Sequence, residues 1–219
     1  MSGSILPVAQ RPRRRVARGW LTLALMALAG TTGAADAAPR KAAGQAAPVS
    51  IDSFDQEHTS FGFEMRTRWG QRIRGTFPEF EGELVELADG RQQVRIRLDT
   101  AAVEVAGSRR YTAMARGPRF FDAERHPVVE FVSDPYPASL VQTGGALRGR
   151  LSMCGVSRVE TFELAPPQCP RPGRDCNAKA RGSVDRGDYA LTDWRLVLDD
   201  TVRFELQLRL QEPAQAAAR

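Results

Sequence analysis

Strict apolar–polar alternation is the feature that most limits what this chain can fold into. Val202, Phe204, Leu206, Leu208 and Leu210 alternate with Arg203, Glu205, Gln207 and Arg209. Successive side chains of an extended strand point to opposite faces, so this run has one dry face and one wet face. The same period recurs at Phe61, Phe63 and Met65, at Val94, Ile96 and Leu98, at Val129 and Phe131, and at Leu147, Leu151 and Met153 with Gly149 in step. The spacing predicts about eight strands, over 52–68, 73–87, 92–105, 128–135, 147–156, 157–164, 178–196 with a break, and 201–211. Ala88-Asp89-Gly90, Thr143-Gly144-Gly145 and Arg186-Gly187-Asp188 carry turn chemistry between these runs. Alternation alone fits either an eight-stranded antiparallel barrel or a two-sheet sandwich.

One stretch breaks the period. Arg109 to Arg116 lacks alternation and suits two helical turns, which Gly117-Pro118 ends. Pro118 starts a further turn through Phe120, Phe121 and Glu124, and His126-Pro127 forces the chain back to extended. A short helical link is therefore expected near 109–124, where a barrel needs a cap or a crossing connection.

The N-terminus reads as targeting rather than fold. Arg11, Arg13, Arg14, Arg15 and Arg18 precede an apolar run from Trp20 to Ala29, and Ala35-Asp36-Ala37 ends a stretch of small residues. That order is a secretory signal with an Ala-x-Ala cleavage site, and its apolar core is about half the ~20 residues that a membrane span needs. Residues 1–37 are expected to be removed. Residues 38–48 form a flexible lead-in, 49–212 the folded domain and 213–219 a tail. An exported, periplasmic product with no integral membrane span is expected. The route, Sec or twin-arginine, is open.

Cleavage takes away five Arg and one Asp, so the formal charge falls from +5 to +1. The basic character of the whole chain thus belongs largely to the leader, and the electrostatic footprint of a nucleic-acid binder goes with it. Only Lys41 and Lys179 are lysines, and no Gly-Lys-Ser/Thr P-loop exists. His58 and His126 belong to no His-x-His or His-Glu-x-x-His pattern, so no metal site is expected. No Gly-x-Ser-x-Gly elbow is present, and no catalytic residue is assigned. A carboxylate pair brought together by folding is the one enzymatic alternative that spacing leaves open.

Cys169 and Cys176 bracket Pro-Arg-Pro-Gly-Arg-Asp. In an oxidising compartment they are expected to pair, contributing about 2–3 kcal/mol by loop closure. Cys154 then remains as a small apolar residue. Phe61, Phe63, Trp69, Phe77, Phe80, Phe120, Phe121, Phe131, Phe162, Trp194 and Phe204 recur through the domain, mostly on the dry parity of a strand. Such rings either fill a solid core or line a lumen, and the pattern serves both.

Three stretches resemble the YceI-like family of secreted lipid-binding proteins. The first is Ile51-Asp52 with His58-Thr59-Ser60-Phe61-Gly62-Phe63, followed by Gly75-Thr76-Phe77. The second is Pro118-Arg119-Phe120-Phe121-Asp122-Ala123-Glu124-Arg125-His126-Pro127, running on through Val128-Val129-Glu130-Phe131. The third is Leu147-x-Gly149-x-Leu151 with Gly155-Val156-Ser157-Arg158. Order and spacing agree from about Ile51 to Leu210. Three polar positions of the family differ here: Tyr111-Thr112-Ala113-Met114-Ala115 replaces a charged and His-containing motif, and Thr67 and Cys154 stand where His is usual.

The resemblance implies an all-β, eight-stranded, antiparallel, lipocalin-like barrel that sequesters a polyisoprenoid or similar long apolar chain, without catalysis or a cofactor. The candidate lining residues are Phe61, Phe63, Phe77, Phe120, Phe121, Phe131, Leu151 and Phe204. Phe120 and Phe121 match the family's double Phe and are candidates to close one end. The rival reading is a periplasmic structural or stress-related domain with a solid core. Whether the chain is a monomer or a homodimer is open.

Overall fold

A computed structural model describes residues 48–212. The expected signal peptide, the lead-in up to residue 47 and the tail 213–219 lie outside the described residues. The alternating runs form an antiparallel sheet of twelve strands, with two short helices. In chain order they are β1 (Pro48–Ser53), β2 (Ser60–Arg66), β3 (Arg72–Thr76), β4 (Phe80–Leu87), β5 (Arg91–Asp99), β6 (Glu104–Val105), α1 (Arg109–Arg116), β7 (Val128–Ser133), β8 (Tyr136–Pro137), α2 (Leu140–Thr143), β9 (Gly145–Met153), β10 (Val156–Leu164), β11 (Ala178–Asp185) and β12 (Thr201–Leu208). The order across the sheet is β1-β4-β5-β7-β9-β10-β11-β12-β2-β3-β6, with β8 beside β5.

The number of strands differs from the expected eight because three long runs are bent and because β8, beyond the run 128–135, adds a short strand. The run 52–68 divides into β1 and β2, 73–87 into β3 and β4, and 92–105 into β5 and β6. At the first bend the Asp55 carboxylate accepts the backbone N–H groups of Glu57 and His58. At the second stands Pro78, which has no N–H to donate to a ladder. At the third Asp99 accepts from the Ala101 N–H. Each bent run keeps its neighbours: β1-β4-β5 and β2-β3-β6 are the same three runs below and above the bends. Past its last strand residue, β1 reaches the end of β12. Phe54 bridges Leu210, the Asp55 N–H donates to Arg209 O (2.8 Å) and the Gln211 N–H to Ser53 O (2.9 Å). The curl of the sheet thus covers an edge that would otherwise be open.

Burial follows the predicted parity. Val202, Phe204 and Leu206 of β12 are buried between exposed Arg203, Glu205 and Gln207, and β7 buries Val129, Phe131 and Ser133. On the dry side, Phe rings lie over glycines of a neighbouring strand. A Cβ on Gly75 would stand 2.3 Å from the Phe63 ring, and one on Gly149 2.5 Å from that of Phe131; Phe54 covers Gly82 and Phe162 covers Gly182 in the same way. At Gly149 the Val132 carbonyl oxygen is also only 2.6 Å away, so rotating the ring cannot make room. Gly149→Val is expected to overpack this point by about 1–3 kcal/mol and to lower the melting temperature by roughly 2–12 °C, read by thermal unfolding.

The helical link is found where expected. The Ser108 hydroxyl caps α1 by accepting from the Tyr111 N–H (3.2 Å), and Gly117 ends it. Arg116 turns inward to the carbonyls of Val103 and Ala102, fixing α1 beside β6. Turns through Phe120, Phe121 and Asp122 lead to β7.

Three local readings are corrected. The run 178–196 ends as a strand at Asp185, and a 3-10 turn (Arg186–Tyr189) and irregular chain follow. Thr143-Gly144-Gly145 is not a hairpin between two strands, because α2 leads into it. The turn between β9 and β10 is Cys154-Gly155, both with positive φ (51° and 77°), so the strand expected over 147–156 stops at Met153. Among the described residues no helix is long and apolar enough to cross a membrane.

Candidate functional site

The site is built at one end of the sheet by three segments: the β2–β3 turn, α1, and residues 190–198. The last is held by a buried ion. Arg186, 1% exposed, donates Nε to Asp199 O (3.0 Å) and Nη1 to the carbonyls of Leu191 and Asp193, with the Asp200 carboxylate 3.5 Å from Nη2. Burial lowers the guanidinium's pKa from its ordinary value and the Asp200 carboxylate opposes this. These bonds overrode the expected strand: Ala190 and Trp194 are drawn into the left-handed region, at φ 60° and 64°. Arg119 covers the Trp194 ring at 4.5 Å, a cation–π contact, and lies 3.7 Å from Asp193. The β2–β3 turn is tied to the same segment by the Arg68 N–H to Val197 O (2.9 Å) and Arg68 Nε to Arg195 O (2.7 Å).

Between these segments opens a largely apolar cleft of about 340 Å³, walled by Trp69, Ile73, Tyr111, Met114, Trp194 and Val197, with Arg110 at its edge and Phe63 and Phe120 among its deeper residues. Its size falls within the range of small-molecule pockets, about 300–1,000 Å³. Behind it Phe121 stands edge-on to Phe120 (4.9 Å between ring centres), Phe77 (5.5 Å) and Phe63 (6.1 Å). At the opposite end of β12, Phe54, Leu84, Tyr136, Leu147 and Leu208 line a second apolar space of about 60 Å³. That is room for about two water molecules. Burial there pushes the Tyr136 hydroxyl up to about 12.

All eight candidate lining residues are buried in one continuous core: Phe61, Phe63, Phe77, Phe120, Phe121, Phe131, Leu151 and Phe204. Phe131 meets Phe162 at 5.0 Å, and Phe162 meets Phe204 at 6.3 Å. Only Phe63 and Phe120 of the eight face the cleft; neither of the two spaces is lined by the other six. Sequence reasoning did not assign Tyr111, Met114, Val197 or Leu198 to a site. The spacing of Tyr111, Met114 and Ala115 on α1 was a usable signal, since residues three and four apart share a helix face.

Cys169 and Cys176 are joined by a disulfide, with Cα atoms 6.1 Å apart. Cys154 is half-buried, and burial together with the Asp122 carboxylate pushes its thiol up to about 11, so it is a poor nucleophile at neutral pH. His58 Nδ1 lies 2.9 Å from Asp55, which this contact holds below the usual carboxylate range, with backbone N–H donors adding to it. Among the described residues no group of three or more His, Cys, Asp or Glu side chains is gathered for a metal ion.

These features define a class: a curled antiparallel sheet around an aromatic-rich interior, with an apolar cleft at one end. A family model described as the YceI-like domain matches residues 53–210, and the chain belongs to that family. The fold is similar to the crystal structure of BcnA from Burkholderia cenocepacia, with 18% identity and a TM-score of 0.57 over 71% of this chain and 98% of that one. It is also similar to a polyisoprenoid binding domain from Saccharophagus degradans implicated in plant cell wall breakdown, with 16% identity and a TM-score of 0.55 over 74% of this chain and 98% of that one. At such identities the likeness is one of fold. No curated protein matches the chain.

Proposed function

We propose that this chain is an exported lipid-binding protein that takes up a long apolar chain, of polyisoprenoid type, through the cleft between Trp69, Tyr111 and Trp194. The observation that carries the reading is the cleft itself, whose deep residues Phe63 and Phe120 abut the Phe121 ring and the aromatic core. Membership of the YceI-like family and the similarity to a polyisoprenoid binding domain support it. Binding needs no catalysis: each buried CH₂ contributes about 0.8 kcal/mol, so a long chain requires few polar contacts.

The interior as it stands is packed with rings, so an entering chain has to displace some of them. Phe121 is the one to move, because it hangs from the irregular link between α1 and β7 rather than from a strand. Displacing it opens a way from the cleft to the packed rings of Phe63 and Phe77, which share one core with Phe61, Phe131, Leu151 and Phe204. The packed centre also favours a second reading, a solid-core domain that binds no lipid. Solvent extraction and mass spectrometry on wild type and Phe121→Ala separate the two. The carrier reading expects lipid from wild type, an altered amount from the variant, and a raised melting temperature when a prenyl or acyl chain is added. No lipid and no thermal response to any such chain would leave the solid-core reading standing.

The Arg block, short apolar core and Ala35-Asp36-Ala37 predict a mature N-terminus at Ala38 and a soluble periplasmic product. Intact-mass measurement of the exported protein checks it, and a full-length, membrane-retained species would contradict it.

A further inference from the structure

We propose that the end of the molecule bearing the cleft docks on an anionic phospholipid bilayer. Two independent observations meet there. Among the described residues five large apolar side chains are exposed: Ile51, Trp69, Tyr111, Val159 and Leu196. Two of the five line this one cleft, Trp69 at 66% and Tyr111 at 39% exposed, and a third, Leu196 at 91%, adjoins its wall residue Val197 in the chain. Leu196 is not on a fraying end. Its neighbours Arg195 and Val197 both bond through their carbonyls to Arg68, so the chain presents Leu196 outward from a fixed position.

The second observation is charge. The framing stretches 66–74, 109–119 and 193–198 hold nine Arg and one acidic residue, Asp193, a net +8. The chain from Ala38 onward carries only +1, so everything outside these stretches sums to −7. Part of the positive charge is met locally, by Glu64 beside Arg66, Arg72 and Arg74 and by Asp200 beside Arg68. Arg109, Arg110 and Arg195 are exposed and form no ion pair among the described residues. A dipolar molecule of this kind turns its basic end toward a negative surface. Trp, Tyr and Leu projecting through a fringe of arginines suit the headgroup layer, where the rings sit at the interface and the guanidinium groups meet phosphate.

The purpose of this docking rests on the lipid-carrier reading: a mouth seated on the bilayer lets a chain pass into the cleft without crossing water. The docking itself is measured separately. The chain from Ala38 contains all the described strands and the whole buried cluster. It is mixed with vesicles of phosphatidylcholine alone and of phosphatidylcholine with phosphatidylglycerol, and bound protein is read by co-sedimentation. Binding to the mixed vesicles should be about tenfold tighter or more, and should weaken with salt. Trp69→Ser with Leu196→Ser, and separately Arg109→Gln with Arg110→Gln, should each lower it about tenfold. Ile51→Ser with Val159→Ser, which removes the two other exposed large apolar groups among the described residues, should leave it unchanged. Lipid is extracted from the same preparations. Failure of wild type to bind the mixed vesicles, or equal binding by all three variants, overturns the proposal. Binding of a random-sequence oligonucleotide as tight as that of the mixed vesicles also overturns it. Extractable lipid without vesicle binding refutes the docking and keeps the carrier; vesicle binding without extractable lipid does the reverse.

Discussion

Phe131→Asp is expected to unfold the domain at neutral pH and to abolish lipid co-purification. Phe131 is 6% exposed on β7, between Ile96 of β5 and Leu151 of β9, with its ring over Gly149 and against Phe162. Removing the ring alone costs about 3–5 kcal/mol. A carboxylate without a partner in that place adds several more. Typical domains hold only about 5–15 kcal/mol in total. The introduced acid has its folded-state pKa raised by burial, so the deficit is smallest at low pH, where the group is neutral, and grows as pH rises past the ordinary carboxylate range. Phe131→Leu keeps the site apolar and should remain folded. Urea unfolding of both variants at acid and neutral pH checks this; an Asp variant as stable as the Leu variant at neutral pH would show that the position is not interior.

The second large effect is expected at Arg186. Arg186→Leu leaves the carbonyls of Leu191, Asp193 and Asp199 without their donor, at about 1–3 kcal/mol for each that water cannot reach. The strands β11 and β12 do not depend on these bonds for their ladder. The loss should therefore fall on residues 190–198 and on the wall of the cleft: a red-shifted Trp194 emission, faster proteolysis within this segment, and loss of vesicle binding and lipid together. Arg186→Lys should not rescue it, because one ammonium cannot span carbonyls that a planar fork reaches. A variant with native tryptophan emission and native protease resistance would contradict the role assigned to Arg186.

What could be read from the chain was what is local. The parity of β7 and β12 and the helix at Arg109–Arg116 depend on neighbouring residues, and they appear where the pattern put them. The Cys169–Cys176 pair was legible for the same reason. The bends at Asp55, Pro78 and Asp99 were harder, since apolar periodicity runs through them. Residues 190–196 look like strand, but the carbonyls that fix them answer to one buried arginine. The Cys154-Gly155 turn was hidden because Cys is an unusual residue at positive φ. The Phe-over-Gly contacts require the strand register, which no single strand contains. The cleft was the least legible part. Trp69, Tyr111 and Trp194 come from three distant stretches, which are positioned by Arg68 and Arg186 on the backbone of residues 190–199 and by Arg116 on that of residues 102–103.

Whether the interior accepts a long apolar chain is read from native mass spectrometry of the gently purified protein. The expected result is a bound species heavier than the polypeptide that releases a long-chain lipid on collisional activation and is lost in Phe131→Asp. A single peak at the bare polypeptide mass, unchanged after incubation with prenyl and acyl chains, would contradict it.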